Sequence, residues 1–423
     1  MDSQFPPMYP GGLRIGEEER AAVGAVLAAR RPFRYYGAVD SPSAVAALEE
    51  DFAQRVGVAH AVAVASGTSA LTAALAALGV GPGDQVLVPA YTWISTPAAV
   101  LAVGAVPVIV DVDETLSIDV DYARLQLTES TRAILPVHMR GAPADMSRVC
   151  AFAREHGLAV LEDVAQSAGG SYDGRPLGSI GDMGIFSLQF NKVITSGEGG
   201  VIVTDDLELH RRALQYQDVA AYQRLGMPAQ TPFVATTCRM SELQGALARV
   251  QLKRLDSIIA DCRRNRDLLL DHLGGADGLG DVVIRPSNDP AGDLGIALVL
   301  TFPDVGRATA VADHVAAAGI PCGLLYQPEL TNFHVACDWG PILGQRSWSR
   351  TTPWDLQRDP VTYDPSRWSR AVDLLGRSMQ IHVSPDLREQ QVGTIAAVVR
   401  AALARADVHI TSERPERVTT HGD

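Results

Sequence analysis

Lysine is almost missing from this chain of 423 residues. Among 36 basic side chains only Lys192 and Lys253 are amines, and the rest are arginines. Arginine serves for most surface roles, so a retained lysine points to chemistry that a guanidinium cannot do. Cysteine is sparse as well. Cys150, Cys238, Cys262, Cys322 and Cys337 form no close-spaced pair and no zinc-type pattern. His334 and Cys337 stand three apart, but a structural zinc takes four ligands, so no metal site is expected. Basic charge is in deficit: a formal net charge of −13 argues against nucleic acid or an anionic membrane surface as the main partner. Local arginine clusters still leave room for an anionic substrate. Long hydrophobic runs are lacking too. The longest, AVLAVGAVPVIV at 99–110, is too short and too broken by Gly and Pro to span a bilayer. The opening MDSQFPPMYPGG carries no charged-then-apolar signal, and the cytoplasm is the expected compartment.

What remains fits a soluble globular enzyme, with 47% hydrophobic and 20% charged residues and length enough for two or more domains. Residues 17–56 read as two helices around the Arg- and aromatic-rich RRPFRYYGAVDSP. From 57 onward short apolar runs alternate with helical segments: AHAVAVA (59–65), QVLVPA (85–90), VPVIVDV (106–112), AILPVH (133–138) and LAVLED (158–163). That alternation predicts an α/β fold, a mostly parallel sheet covered by helices on both faces. GIFSLQF (184–190) and GGVIVTD (199–205) are close enough to pair as neighbours. A long amphipathic stretch from 239 carries the chain out of this domain. The strand GIALVLTF (295–302), a helix at 307–318 and a helical finish at 386–406 make a smaller α+β domain. The expected limits are 15–260 for the large domain, 261–408 for the small one, and a polar, disordered tail at 409–423. Residues 338–370 stand out, holding four of the five tryptophans.

Three local features carry chemistry. SGTSA (66–70) is a hydroxyl-bearing turn between a buried strand and a helix start, a natural phosphate seat, although such turns also serve simply as caps. Asp163 ends a buried strand, where open α/β sheets place ligand-binding residues. A buried carboxylate needs a partner; a protonated pyridine nitrogen is one candidate, and a helix N-cap role is the alternative. Lys192 follows a strand and precedes the Gly-rich SGEGG. A primary amine forms a Schiff base with an aldehyde and carries protons once released, whereas a chance solvated lysine does neither. In this order the three fit pyridoxal 5′-phosphate (PLP) on a fold-type-I scaffold.

The segments SGTSAL, GPGDQVLVPAYTWISTPAAVLAVGAVPVIVDVD, PVHMRGAPADM, LEDVAQSAGGSYDGRPLGSIGDMGIFSLQFNKVITSGEGG and RMSELQGALARVQLKRLD resemble the DegT-type sugar aminotransferases, strongly over about 15–260 and more loosely to about 400. The resemblance implies that Lys192 binds the cofactor aldehyde and shuttles protons. It assigns Asp163 to the ring nitrogen, Gln166 to the 3-oxygen, and Trp93 to stacking on the ring. Thr68, Ser69 and Ser187 would hold the phosphate, with Gly67 allowing close approach. The family's dehydratases replace the lysine with histidine, so its retention implies amino transfer from L-glutamine or L-glutamate to a keto group on a sugar or cyclitol. The family usually has an Asn two residues before the Arg of RM, reaching a partner subunit's phosphate. Thr237 stands there instead, so that contact is in doubt while a homodimer is still expected.

RRPFRYYG (30–37) and the Trp/Arg-rich block most resemble the subgroup that aminates scyllo-inosose-type cyclitols in aminoglycoside pathways. A nucleotide-linked keto-sugar is the alternative, its pyrophosphate met by Arg346, Arg350, Arg358, Arg367 and Arg370. Packing at the domain interface is a further reading of that block. A non-catalytic relative is disfavoured by intact Lys192, Asp163 and Gln166. A dinucleotide-binding dehydrogenase fails for want of GxGxxG in the first βα unit.

Overall fold

Short Val-, Ile- and Ala-rich runs without polar alternation form a sheet buried on both faces. The computed structural model describes residues 5–6, 10–35, 43–224, 226 and 233–412, the last six in backbone only. The first sheet comprises β1 (His60–Val64), β2 (Gln85–Pro89), β3 (Val106–Val110), β4 (Thr131–Ile134), β5 (Ala159–Asp163), β6 (Met183–Ser187) and β7 (Gly200–Thr204). Its spatial order is β1-β7-β6-β5-β4-β2-β3. Neighbours from β3 to β6 run parallel, and β7 runs antiparallel to both β6 and β1. The expected pairing of 184–190 with 199–205 is therefore present, but β6 stops at Ser187. Beyond it the chain turns through Gln189–Lys192, where the Lys192 amide donates to the Gln189 carbonyl.

Helices start where polar side chains take up free amides. Ser66 Oγ accepts from the Ser69 amide at 3.0 Å to open the helix Gly67–Ala77. Ser241 and Gln244 form a capping box at the start of Glu242–Leu273, a 32-residue helix closed by Gly274. This helix packs on Ala44–Val56 beside the first sheet and on Glu389–Ser412 beside the second. The second sheet, all antiparallel, comprises β8 (Val283–Ile284), β9 (Ala297–Thr301), β10 (Cys322–Leu324) and β11 (Ser378–His382), in the order β8-β9-β11-β10. No helix among the described residues is long and apolar enough to cross a membrane. Residues 36–42 of the Arg/aromatic loop and 413–423 of the expected tail lie outside the described residues.

The Trp/Arg block has a structural explanation. Trp339, Trp354 and Trp368 are buried in the core of the first sheet. β3 is an edge strand with unpaired carbonyls. Tyr363 Oη donates to the Pro107 carbonyl at 2.8 Å and Trp368 Nε1 to the Ile109 carbonyl at 3.2 Å, alternate positions on that edge. Trp354 Nε1 donates to Tyr363 Oη at 3.0 Å and holds the ring in place. Arg358 pairs with Glu129, and Arg370 with Glu114 and Asp119, on the surface. The block caps a sheet edge, which is why it is rich in side chains that pair an apolar body with a single donor.

Candidate active site

All the parallel strands, and β1 with them, end on one side of the first sheet, and the site is assembled there. A cavity of about 460 Å³ opens between these strand ends and the second sheet. Seven of the eight residues singled out from the sequence line it: Gly67, Thr68, Trp93, Asp163, Gln166, Ser187 and Lys192. Ser69 does not; its hydroxyl pairs with Ser66 Oγ at 2.9 Å inside the cap. Thr237 is exposed and lies off the cavity. None of the five arginines of the 338–370 block lines it either.

One end of the cavity is built for an anion. The N-terminus of Gly67–Ala77 presents backbone amides and the positive end of the helix dipole. A Cβ on Gly67 would come within 2.8 Å of Ser187 Cβ, so only glycine lets β6 and this helix approach so closely. Thr68 Oγ1 reaches Ser95 Oγ at 3.1 Å.

The centre holds the titrating pair. Asp163 is the last residue of β5 and is buried. Its Oδ2 accepts from Thr96 Oγ1 at 2.9 Å and its Oδ1 from the Ala165 amide at 3.0 Å. Burial pushes its pKa above the usual carboxylate value, against the pull of those two donors and of the charges on Lys192 and His138. No cationic side chain forms an ion pair with it among the described residues. Burial likewise pushes the Lys192 amine down; Asp163 opposes this and the charge of Arg140 adds to it. A lowered amine is free base at lower pH and so a better nucleophile toward an aldehyde. The N-terminal segment braces this loop, with Pro10 on the cavity wall and the Gly11 amide donating to the Lys192 carbonyl at 3.4 Å.

The far wall was not anticipated. Trp93, 43% exposed, leans on His334 with ring centres 4.8 Å apart. The Thr92 and Ile94 amides donate to the His334 and Phe333 carbonyls, both at 2.9 Å, tying this loop to Trp93. The His334 pKa is pushed down to about 3 by burial and by the charges of Arg140 and Lys192. That of His382, beside Gln380 on β11, is pushed down to about 4 by burial and by Arg140. Both imidazoles are neutral at physiological pH and offer hydrogen bonds without charge. Thr96 and Arg140 sit inside YTWIST and HMRGAP, segments with a recognisable pattern but no residue-level cue to these roles.

The residues fit PLP on the structure's own terms. A buried carboxyl without a cation, a depressed lysine amine and a helix N-terminus line one cavity, matching ring nitrogen, aldehyde and phosphate.

The comparisons agree. The DegT/DnrJ/EryC1/StrS aminotransferase family model matches residues 15–336. A UDP-N-acetyl-3-dehydro-alpha-D-glucosamine 3-aminotransferase of Acidithiobacillus ferrooxidans is 34% identical over 359 residues, 84% of this chain and 88% of that protein. An L-glutamine:2-deoxy-scyllo-inosose aminotransferase of Streptoalloteichus tenebrarius is 39% identical over 302 residues, 69% of this chain and 71% of that one. The crystal structure of 3-amino-5-hydroxybenzoic acid synthase superposes with a TM-score of 0.79 at 26% identity, covering 95% of this chain and 99% of the other. Fold type I, PLP and amino transfer to a sugar or cyclitol follow together: the chain belongs to the DegT/DnrJ/EryC1/StrS aminotransferase family.

Proposed function

We propose that this enzyme moves the amino group of L-glutamine or L-glutamate to a keto-cyclitol of the scyllo-inosose type, in the cytoplasm, within an aminoglycoside-like secondary pathway. The observation that carries the acceptor is the far wall. His334, His382 and Gln380 supply uncharged hydrogen-bonding groups suited to a ring of hydroxyls, while the block's arginines are directed to the surface. The inosose-directed relative points the same way. A nucleotide-linked keto-sugar is the second reading, favoured by the UDP-sugar relative and its wider coverage.

When bound, PLP supplies an electron sink that makes the donor's α-hydrogen acidic. Lys192 would hold the cofactor aldehyde, and its Nζ, lowered in pKa by burial, would carry the proton released from the donor's α-carbon. Asp163 would hold the ring nitrogen protonated, a positive charge there offsetting the burial that raises its pKa. Gln166 holds the 3-oxygen, and Trp93 covers the ring face. The backbone at Gly67 with the hydroxyls of Thr68 and Ser187 receives the phosphate. Ser69 supports that seat through Ser66. Residues 15–260 and 261–408 are the two domains of this reading. A homodimer is its working unit.

A matrix of L-glutamine, L-glutamate and L-alanine against keto-cyclitols and nucleotide keto-sugars tests the assignment. The highest kcat/KM should fall on glutamine or glutamate with an inosose. A best turnover on a nucleotide sugar would transfer the assignment to the second reading.

A further inference from the structure

Arg140 follows β4 and stands in the left-handed region at φ 56, immediately before Gly141 at φ 84. A non-glycine residue is strained there, and such positions persist where the surrounding fold holds them. The turn directs the guanidinium into the cavity. Its backbone amide donates to Gln166 Oε1 at 3.2 Å, and its Nε donates to Tyr91 Oη at 3.2 Å. Among the described residues it makes no ion pair. Behind it, buried Arg285 donates to the Met139 carbonyl at 3.2 Å and pairs with Asp293. Among the described residues the carboxylates on the cavity wall are Asp163, bonded to Thr96 and the Ala165 amide, and Glu198 on the lysine loop. A guanidinium without an ion-pair partner, facing a cavity, calls for an anionic ligand.

We propose that Arg140 is the carboxylate anchor of the amino donor, taking the donor's α-carboxylate on the part of its guanidinium that Tyr91 leaves free. The hydrogen bond from its backbone amide to Gln166 places the anchor beside the 3-oxygen edge of the cofactor site and away from the phosphate seat at Gly67. The α-carboxylate is one bond from the reacting carbon, so its receptor must border the ring. The phosphates of a nucleotide sugar lie a full sugar ring further out. The same arrangement solves a problem of alternation. The cyclitol that follows the donor has no anion, and Tyr91 Oη keeps the guanidinium oriented while the carboxylate is gone. The inference rests on the amino-transfer reading above.

The test uses the holoenzyme and α-methyl-L-glutamate, which keeps the carboxylate but has no α-hydrogen to lose, so binding is read by calorimetry without turnover. Asn tolerates the left-handed conformation, which makes Arg140→Asn the first variant. It should bind this ligand about 30-fold more weakly, the loss expected of one charge-assisted pair. Free guanidinium should restore part of the affinity, while PLP retention and the KM for the keto acceptor stay unchanged. The α-carboxamide of the same ligand should bind wild type and variant alike. Arg140→Lys should fall between wild type and Arg140→Asn, and it decides the matter if the Asn variant does not fold. Unchanged binding of α-methyl-L-glutamate overturns the proposal. So does an equal loss for the carboxamide, a loss of PLP, or a rise confined to the acceptor's KM. Normal carboxylate recognition in an enzyme that transfers no amino group would count against the functional reading alone.

Discussion

Glu162 and Asp163 are adjacent buried acids at the end of β5, and strand alternation sends them to opposite faces of the sheet. Glu162 meets a full set of partners: His138 Nε2 at 3.2 Å and the amides of Gly178, Ile180 and Gly181 at 2.9, 2.6 and 2.7 Å. It ties the loop before β6 to the strand. Asp163 meets one hydroxyl and one amide and otherwise faces a cavity beside Lys192. A satisfied carboxylate holds the fold; an under-satisfied one is held ready for a ligand. The contrast teaches that burial alone does not distinguish structure from chemistry, whereas the completeness of the partner set does.

The largest effect should come from the reactive face. Lys192→Arg preserves the positive charge and cannot hold an aldehyde, so turnover should fall by about four orders of magnitude or more while circular dichroism stays native. Asp163→Asn should lower kcat by about 10²–10³ through the loss of charge against the ring nitrogen. The effect on the cofactor-free protein should have the opposite sign. Because the folded pKa of Asp163 is raised, the unfolded chain releases this proton first as pH climbs past the ordinary carboxylate range, and apo stability falls. The Asn variant should lack that fall in a pH series of thermal melts. The structural face should behave in reverse. Glu162→Gln brings an NH2 group against donors already aimed at a carboxylate and should destabilise the fold by about 2–4 kcal/mol, with kcat of the folded fraction within about twofold. Trp368→Phe, which removes one donor from the capped edge of β3, should cost about 1 kcal/mol and leave both KM values unchanged.

The sheet was legible because its strands are apolar runs of the right length, and the lysine because it is so rare in this chain. The ends of the strands were less legible: β6 ends three residues before its apolar run does, since the close approach at Gly67 and the turn to Lys192 pull the chain from the sheet at Ser187. Composition was ambiguous in the block 338–370, where ligand recognition and packing both fitted; Tyr363 and Trp368 cap an edge strand, and Arg358 and Arg370 pair with surface acids. The far wall was invisible for a different reason. His334, His382 and Arg140 come from separate stretches that meet only once the two sheets face each other, and nothing in local spacing announces that meeting.

The scarcity of lysine makes the central claim unusually easy to test. Borohydride reduction of the holoenzyme fixes the cofactor to whichever amine holds it, and peptide mapping then chooses between a cavity-lining Lys192 and Lys253, which is exposed on the long helix. The account predicts the added mass on the peptide containing Lys192 and none on that containing Lys253. Label on Lys253, or on neither, would contradict it.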